Sequence, residues 1–267
     1  MLDYINEDQF QNFSKYKFNL HRRMLLNKEA LEENSVVYCH TNYLDVLFSI
    51  LRLSNKNHIL ITHGSDYSIN EKRFSKKPDN IKKWFAQNAE YDHPDLIPIP
   101  TGLAPEYRKD LFDRVKFICT NINILRKNEK TVEKIYCGWN VDNNPEKRSN
   151  ILDKLKYPYM WECGVTYEKY CDSMSRFAFV ISPSGNGIDT HRTWEALYMG
   201  CIPIVIKHNI YKNYNDLPIL QVNDYSEITR PLLDTFLTKV FNNEKLYMSY
   251  WKKSILEEFD KLKPWKY

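Results

Sequence analysis

The stretch from Phe177 to Lys207, FAFVISPSGNGIDTHRTWEALYMGCIPIVIK, reads as strand, glycine loop, helix and strand without interruption. Phe177 to Ile181 is a short apolar run rich in aromatic and β-branched residues, and Ser182-Pro183-Ser184-Gly185-Asn186-Gly187 ends it with dense turn chemistry. Asp189 or Thr190 is placed to cap a helix whose core face is Trp194, Leu197 and Tyr198. Gly200 stands where a left-handed residue closes that helix, and Ile202 to Ile206 resumes as a second buried strand. Such a crossover makes the two strands parallel, with the glycine loop and a helix N-terminus at the carboxyl edge. Unpaired backbone N–H groups and the positive end of a helix dipole converge there, which is the chemistry of an anion site.

Outward from this unit, the strand and helix signals alternate. Val36 to His40, His58 to Thr62, Trp84 to Ala86, Leu96 to Ile99, Ile135 to Trp139 and Tyr159 to Cys163 read as strands. Asp45 to Leu53, a segment beginning near Pro145 and another from about Tyr167 read as helices, and a final helical region runs roughly from Ile228 to Phe259. Residues 1 to 34 are polar and aromatic and read as one or two helices, with Asn27 to Glu33 the better helical run. The alternation predicts an α/β fold with parallel sheets. Gly64, Gly102, Gly138, Gly164, Gly185 and Gly187 each follow a strand signal, so glycine collects at strand exits, the edge where open α/β sheets bind ligands. The polar run NINILRKNEKTVEK separates two groups of strands, which predicts one domain over residues 1–130 and a second over 131–267, with the last helix free to pack back on the first.

Composition narrows the class. In 267 residues, 43% hydrophobic content with 14% aromatics supplies a buried core, and a net charge of +4 is too mild to argue for nucleic acid. The basic segment Lys72 to Lys83 is interrupted by Phe74, Pro78 and Asp79 and reads as a solvated face. The six cysteines form no C-x-x-C pair and read as reduced core residues, hence a cytoplasmic chain, or one in the host cytoplasm if viral, without a zinc site. Nothing in the sequence reads as a signal peptide or a membrane span.

The site residues follow from the loop. Ser182, Ser184, Gly185, Asn186 and Gly187 offer backbone N–H groups and short polar side chains, with His191 and Arg192 in the first helical turn beyond. A diphosphate needs that set: close backbone approach, a guanidinium fork and a helix dipole. Glu195 lies at i+4 from His191 and is suited to accept two ribose hydroxyls, although an isolated glutamate there is more often a helix-face charge. The dinucleotide fingerprint fails, because Gly185-Asn186-Gly187 is followed by Ile188, Asp189 and Thr190, and no Walker A lysine occurs. There is no Asp-x-Asp pair to hold a divalent metal, and His58 and His63 fall on opposite faces of one strand, so no metal ligands are assigned.

The segment SPSGNGIDTHRTWEALYMGCIPIV resembles the signature of the exostosin-like glycosyltransferases, in the branch of the ribitol xylosyltransferases and the chlorella-virus xylosyltransferase. The serine-proline-glycine loop, the Arg-x-x-Glu pair and the Gly-Cys-Ile-Pro-Ile strand occur in order and in register, with weaker similarity in ILITHGSDYSI and WFAQNAEYDHPDLIPIPTGLA. The resemblance implies a GT-B architecture: two Rossmann-like parallel-sheet domains facing across a cleft, here with a trimmed N-terminal domain. It further implies a UDP-sugar donor, UDP-xylose being one candidate, a glycan or glycoprotein acceptor, inverting transfer, and no metal or other cofactor. Carried onto this chain, Ser184, Gly185, Asn186 and Arg192 would hold the diphosphate, Arg148 a second phosphate contact, Glu195 the ribose, and Lys207 and His208 the base. For the acceptor-side base, His63-Gly64-Ser65-Asp66 is the favoured stretch, with Asp66 first, His63 next and Asp189 third, while Asp66 as a plain turn cap stays open. The rival readings are a sugar-nucleotide epimerase or hydrolase on the same scaffold and a non-catalytic nucleotide- or glycan-binding protein.

Overall fold

The computed structural model describes residues 3–27, 29–107 and 109–262. It is an α/β protein with two five-stranded parallel sheets, and it divides into two compact units. The first unit comprises residues 3–101 and 247–262; the second comprises residues 102–246.

In chain order the first unit contains helix α1 (Glu7–Phe13), strand β1 (Tyr16–Phe18), β2 (Ser35–His40), α2 (Leu44–Leu51), β3 (His58–His63), α3 (Glu71–Phe74), β4 (Ile81–Ala86) and β5 (Leu96–Pro98). The strands lie in sequence order, β1-β2-β3-β4-β5, all parallel. Every residue of β2 and β3 is buried, because α2 covers one face of the sheet at β2 while α1 lies on β2 and β3. Strands covered on both faces read as continuous apolar runs, which is why they are legible in sequence. Val37, Leu47, Phe48, Leu60 and Trp84 pack in one core, and Thr62 satisfies the indole N–H of Trp84 at 2.8 Å. Residues 29–34 form turns where a helix is expected. The Asn27 side chain accepts the Glu29 amide at 3.0 Å and Leu31 is drawn into the core.

The second unit contains α4 (Lys109–Lys127), β6 (Ile135–Cys137), α5 (Pro145–Arg148), α6 (Ile151–Lys154), β7 (Tyr159–Trp161), α7 (Tyr167–Met174), β8 (Phe179–Ile181), α8 (His191–Tyr198), β9 (Ile202–Ile206), β10 (Leu220–Val222) and α9 (Arg230–Leu237). Its strand order is β10-β9-β8-β6-β7, again all parallel. The polar run read as a domain boundary near residue 130 includes the end of α4, and the units divide upstream, between Thr101 and Gly102. The physical reason is a stripe the overall polarity hides: Val115, Ile118, Ile122 and Leu125 are spaced 3–4 residues apart and buried, on a helix that contacts α7 and α8. The final helical region is also interrupted, at Asn242-Asn243, where the Asn242 amide donates to the Asp216 carbonyl. Beyond the break, α10 (Met248–Lys261) contacts β3, and the Ser249 amide donates to Asp3 at 3.0 Å.

Cys39, Cys137, Cys171 and Cys201 are buried with thiols pushed up by burial, Cys119 is half-buried and Cys163 exposed, all six unpaired. Among the described residues no helix is long and apolar enough to cross a membrane.

His40 and His58 in the first unit are both held down at about 4, His40 by burial and then by His21 and Arg22, His58 by burial first. A histidine depressed below its ordinary 6.5 supports the fold fully above that value and less as pH falls toward the folded value. The urea midpoint of the chain is therefore expected to fall as pH drops from 7.5 to 4.5. Glu7, raised by burial, offsets part of this, so the decisive comparison is His58→Asn, which should flatten the slope. An unchanged slope in that variant would contradict the assignment.

Candidate functional site

In the second unit the connection from β6 leads to β7 on one side, and the chain then returns across β6 to place β8 on the other. Open parallel sheets leave a crevice at such a reversal, outside the carboxyl ends of the two strands that flank it. Here those strands are β6 and β8, and the segments leaving them are residues 138–144 and 182–190. The glycine loop picked out by its composition thus lies where the strand order independently puts a ligand.

Arg148 organises that loop from behind. It is 4% exposed, and its guanidinium donates to three carbonyls: Nε to Ser184 at 2.8 Å, Nη2 to Pro183 at 3.4 Å and Nη1 to Asn140 at 2.7 Å. Asn144 adds a fourth tie, its Nδ2 donating to the Gly185 carbonyl at 2.7 Å while its Oδ1 caps α5 through the Lys147 amide. The Gly185 amide closes the loop on the Gly187 carbonyl at 3.0 Å. With every peptide trans, each N–H is antiparallel to the carbonyl before it. Drawing the carbonyls of Pro183, Ser184 and Gly185 to one side therefore turns the amides of Ser184 and Asn186 to the other. The amides of Ser184, Asn186, Gly187 and Ile188 make no hydrogen bond among the described residues. Successive free amides of this kind form an anion-binding concavity. A Cβ at Gly185 would lie 3.1 Å from Arg148 Nη2, a tight contact that glycine avoids. Arg148, expected as a phosphate contact, is thus committed to the loop carbonyls.

Ser182 has a different task from its expected one. It is 2% exposed, its amide pairs with the Ile204 carbonyl, and its hydroxyl shares hydrogen bonds with Thr190 Oγ1 at 3.1 Å and Thr193 Oγ1 at 2.8 Å. Thr190 is the N-cap residue of α8, yet it makes no side-chain cap, so the first turn of α8 keeps uncapped donors facing the loop.

Arg192 stands in that turn. Its Nε is buried without a hydrogen-bond partner, and the guanidinium makes no ion pair among the described residues. It rests 5.7 Å over the Tyr170 ring. The Arg148 guanidinium is lowered to about 10, first by burial and then by the nearby Arg192 charge, so two cations share this corner with no carboxylate paired to either among the described residues. His191 Nδ1 lies 2.8 Å from the Gly102 carbonyl, which can only accept, so Nδ1 carries the proton of that hydrogen bond.

Glu195 is 6% exposed, and its two oxygens accept from Tyr167 at 2.7 Å and Tyr170 at 2.9 Å. It anchors the phenol that carries Arg192. Asp189 is equally buried and accepts from the Trp194 indole at 2.8 Å. Lys207 follows the end of β9 and is exposed.

In the first unit His63 is 2% exposed with both nitrogens committed: Nε2 to the Pro100 carbonyl at 3.0 Å, Nδ1 accepting the Gly64 amide at 2.8 Å. Gly64 has φ +82°, and a Cβ there would meet the Glu7 carboxyl at 2.7 Å and His40 at 2.8 Å. Gln87 and Asn42 fasten the same turn, through the Gly64 amide and the Ser65 hydroxyl. Asp66, the next residue, is exposed. Asn144, Tyr167, Tyr170, Asn42 and Gln87 are the site residues that sequence reading passes over. Only Asn144 leaves a local signal, as an N-cap before Pro145.

The two arginines predict opposite behaviour. Arg148→Ala leaves three carbonyls without a donor and is expected to cost roughly 2–4 kcal/mol in urea denaturation. Arg192→Met removes a guanidinium with no partner and should be neutral or stabilise by up to about 1 kcal/mol. Equal destabilisation by both would make Arg192 a structural residue.

No family model matches the chain. Over 83 residues, 30% of its length, it is 34% identical to a protein of Arabidopsis thaliana named a probable glycosyltransferase, and the match spans 16% of that protein.

Proposed function

We propose that the second unit binds the diphosphate of a nucleotide-sugar and that the chain is a glycosyltransferase acting from a UDP-sugar, UDP-xylose among the candidates, on a glycan acceptor. The observation that carries this reading is the conjunction of unbonded outward amides with an unpaired Arg192 guanidinium at the strand-order reversal. Two uncompensated cations and a fan of N–H donors suit a ligand with adjacent negative charges. The partial similarity to a protein named a probable glycosyltransferase supports the same class of chemistry.

On this reading the amides of Ser184, Asn186 and Gly187 hold the phosphates together with Arg192, and His191 stands in the same helical turn. Glu195, with both oxygens on phenols, acts by keeping Tyr170 under Arg192; a ribose contact would have to use its remaining lone pairs. The acceptor hydroxyl loses its proton to a base, its oxygen attacks the anomeric carbon, and the bond from that carbon to the β-phosphate oxygen breaks. The charge that develops on the leaving diphosphate falls on preorganised amides and a guanidinium, which makes an inverting displacement without an essential metal the reading we favour. Asp66 is kept as the base, because His63 gives both nitrogens to the backbone and Asp189 is buried beside Trp194. The two parallel-sheet units suit a GT-B enzyme.

Calorimetry with UDP should show binding that Arg192→Met weakens by roughly 2–4 kcal/mol. Transfer from UDP-sugars to a glycan panel should proceed in EDTA, and Asp66→Asn should abolish it while leaving UDP affinity intact. Sugar release that needs no acceptor would indicate a hydrolase, and UDP binding without turnover of any donor would indicate a binding protein. Failure to bind UDP or pyrophosphate would end the diphosphate reading.

A further inference from the structure

Trp161 ends β7, the edge strand of the second sheet, and is 39% exposed, with Tyr159 on the same strand 38% exposed. Its position is specific. Trp161 pairs with Cys137 in register, and Tyr136 pairs with Val180, so Trp161, Cys137 and Ile181 close three adjacent strands at the same edge. Ser182, where the glycine loop begins, follows Ile181 directly. Two strand spacings, about 10 Å, therefore separate the indole's strand from the loop's strand. That is close to the distance from the phosphates to the base in an extended nucleoside diphosphate.

The indole is also held. Trp139 meets it edge to face, with centroids 4.8 Å apart and planes at 82°, and Trp139 is itself 2% exposed. The chain continues from Trp139 to Asn140, whose carbonyl is tied by Arg148 to the loop carbonyl of Ser184. One guanidinium thus sets the spacing between the aromatic wall and the amide fan. The Arg192 charge is felt at the end of β6, by the Tyr136 phenol and the Cys137 thiol.

We propose that the exposed face of Trp161 is the stacking platform for the heterocyclic base of the nucleotide whose diphosphate lies on the loop of residues 182–190. This rests on the diphosphate reading above and extends it by assigning the base to the β7 side of the crevice, in place of the β9 side where Lys207 and His208 stand. A flat aromatic face offers stacking without a fixed hydrogen-bond pattern, so Trp161 would supply affinity for nucleotides over inorganic anions and only modest discrimination among bases.

The test titrates UDP, ADP and inorganic pyrophosphate into the full chain and into Trp161→Ala and Trp161→Phe, with urea midpoints confirming that both variants fold. The expected result is a loss of UDP affinity on the order of 10- to 100-fold in Trp161→Ala, little loss in Trp161→Phe, and unchanged pyrophosphate affinity. Unchanged UDP affinity in Trp161→Ala overturns the proposal. So does a parallel fall for pyrophosphate, which would make Trp161 a support of the loop. Sedimentation showing a wild-type dimer that Trp161→Ala dissociates would mark the indole as a self-association surface and overturn it as well. Wild-type protein that binds pyrophosphate and UDP equally well refutes the stacking platform alone, whereas binding of neither removes the diphosphate reading and this inference together.

Discussion

The grip of one buried guanidinium on three backbone carbonyls is the constraint from which the rest of the second unit's chemistry follows. Arg148 has no carboxylate partner among the described residues; its guanidinium donates to the carbonyls of Asn140, Pro183 and Ser184. A carbonyl satisfies a guanidinium N–H well but does not neutralise it. The cation therefore stays uncompensated while the planar peptide units transmit its orientation to the opposite side of the loop as exposed N–H groups. Arg192 adds a second charge in the same corner and rests over the Tyr170 ring. Among the described residues neither guanidinium is ion-paired, and the nearby carboxylates of Glu195 and Asp189 accept from phenols and an indole instead. The local arrangement is costly to the fold and suited to an anion, the pattern expected where stability is given up for binding.

Strand order decides where this corner lies. In the second unit the order reverses across β6, and the glycine loop and the N-terminus of α8 follow β8, one of the two strands that flank the reversal. The first unit has the same number of parallel strands in simple sequence order, without a reversal. Its carboxyl-edge turn at Gly64-Ser65 is instead pinned by His63, Gln87 and Asn42, with no room for a side chain at Gly64. Two similar sheets thus present different edges: one with unpaired donors, one with a fastened turn from which Asp66 projects into solvent.

Much of this architecture is legible along the chain because it is local. The 2.0 and 3.6 periodicities, the Asn-Pro cap at Asn144-Pro145 and the helix-ending Gly200, with φ +74°, depend on neighbours a few residues apart. Strand β1 and the stripe on α4 are harder to read. Tyr16–Phe18 is a strand only because β2 pairs with it, and Val115, Ile118, Ile122 and Leu125 lie within a polar surround. The interruption at Asn242-Asn243 that parts α9 from α10 depends on a carbonyl of Asp216, far back in the chain.

What the sequence by itself determined was the α/β class, the succession of strands and helices, and the glycine loop with Arg192 one turn beyond it, since each is written in spacing and residue type. Tertiary structure alone decided the roles. Arg148 faces carbonyls instead of open space, Ser182 and Glu195 turn inward to hydroxyls, and His63 is consumed by backbone, because a side chain's function depends on which partners packing brings within 3 Å or so; Ser184 for Arg148, the two phenols for Glu195 and Pro100 for His63 lie 25 to 37 residues away in the chain. The reversal of strand order that makes the crevice is likewise invisible to any local pattern, for it is a property of how the sheet is assembled.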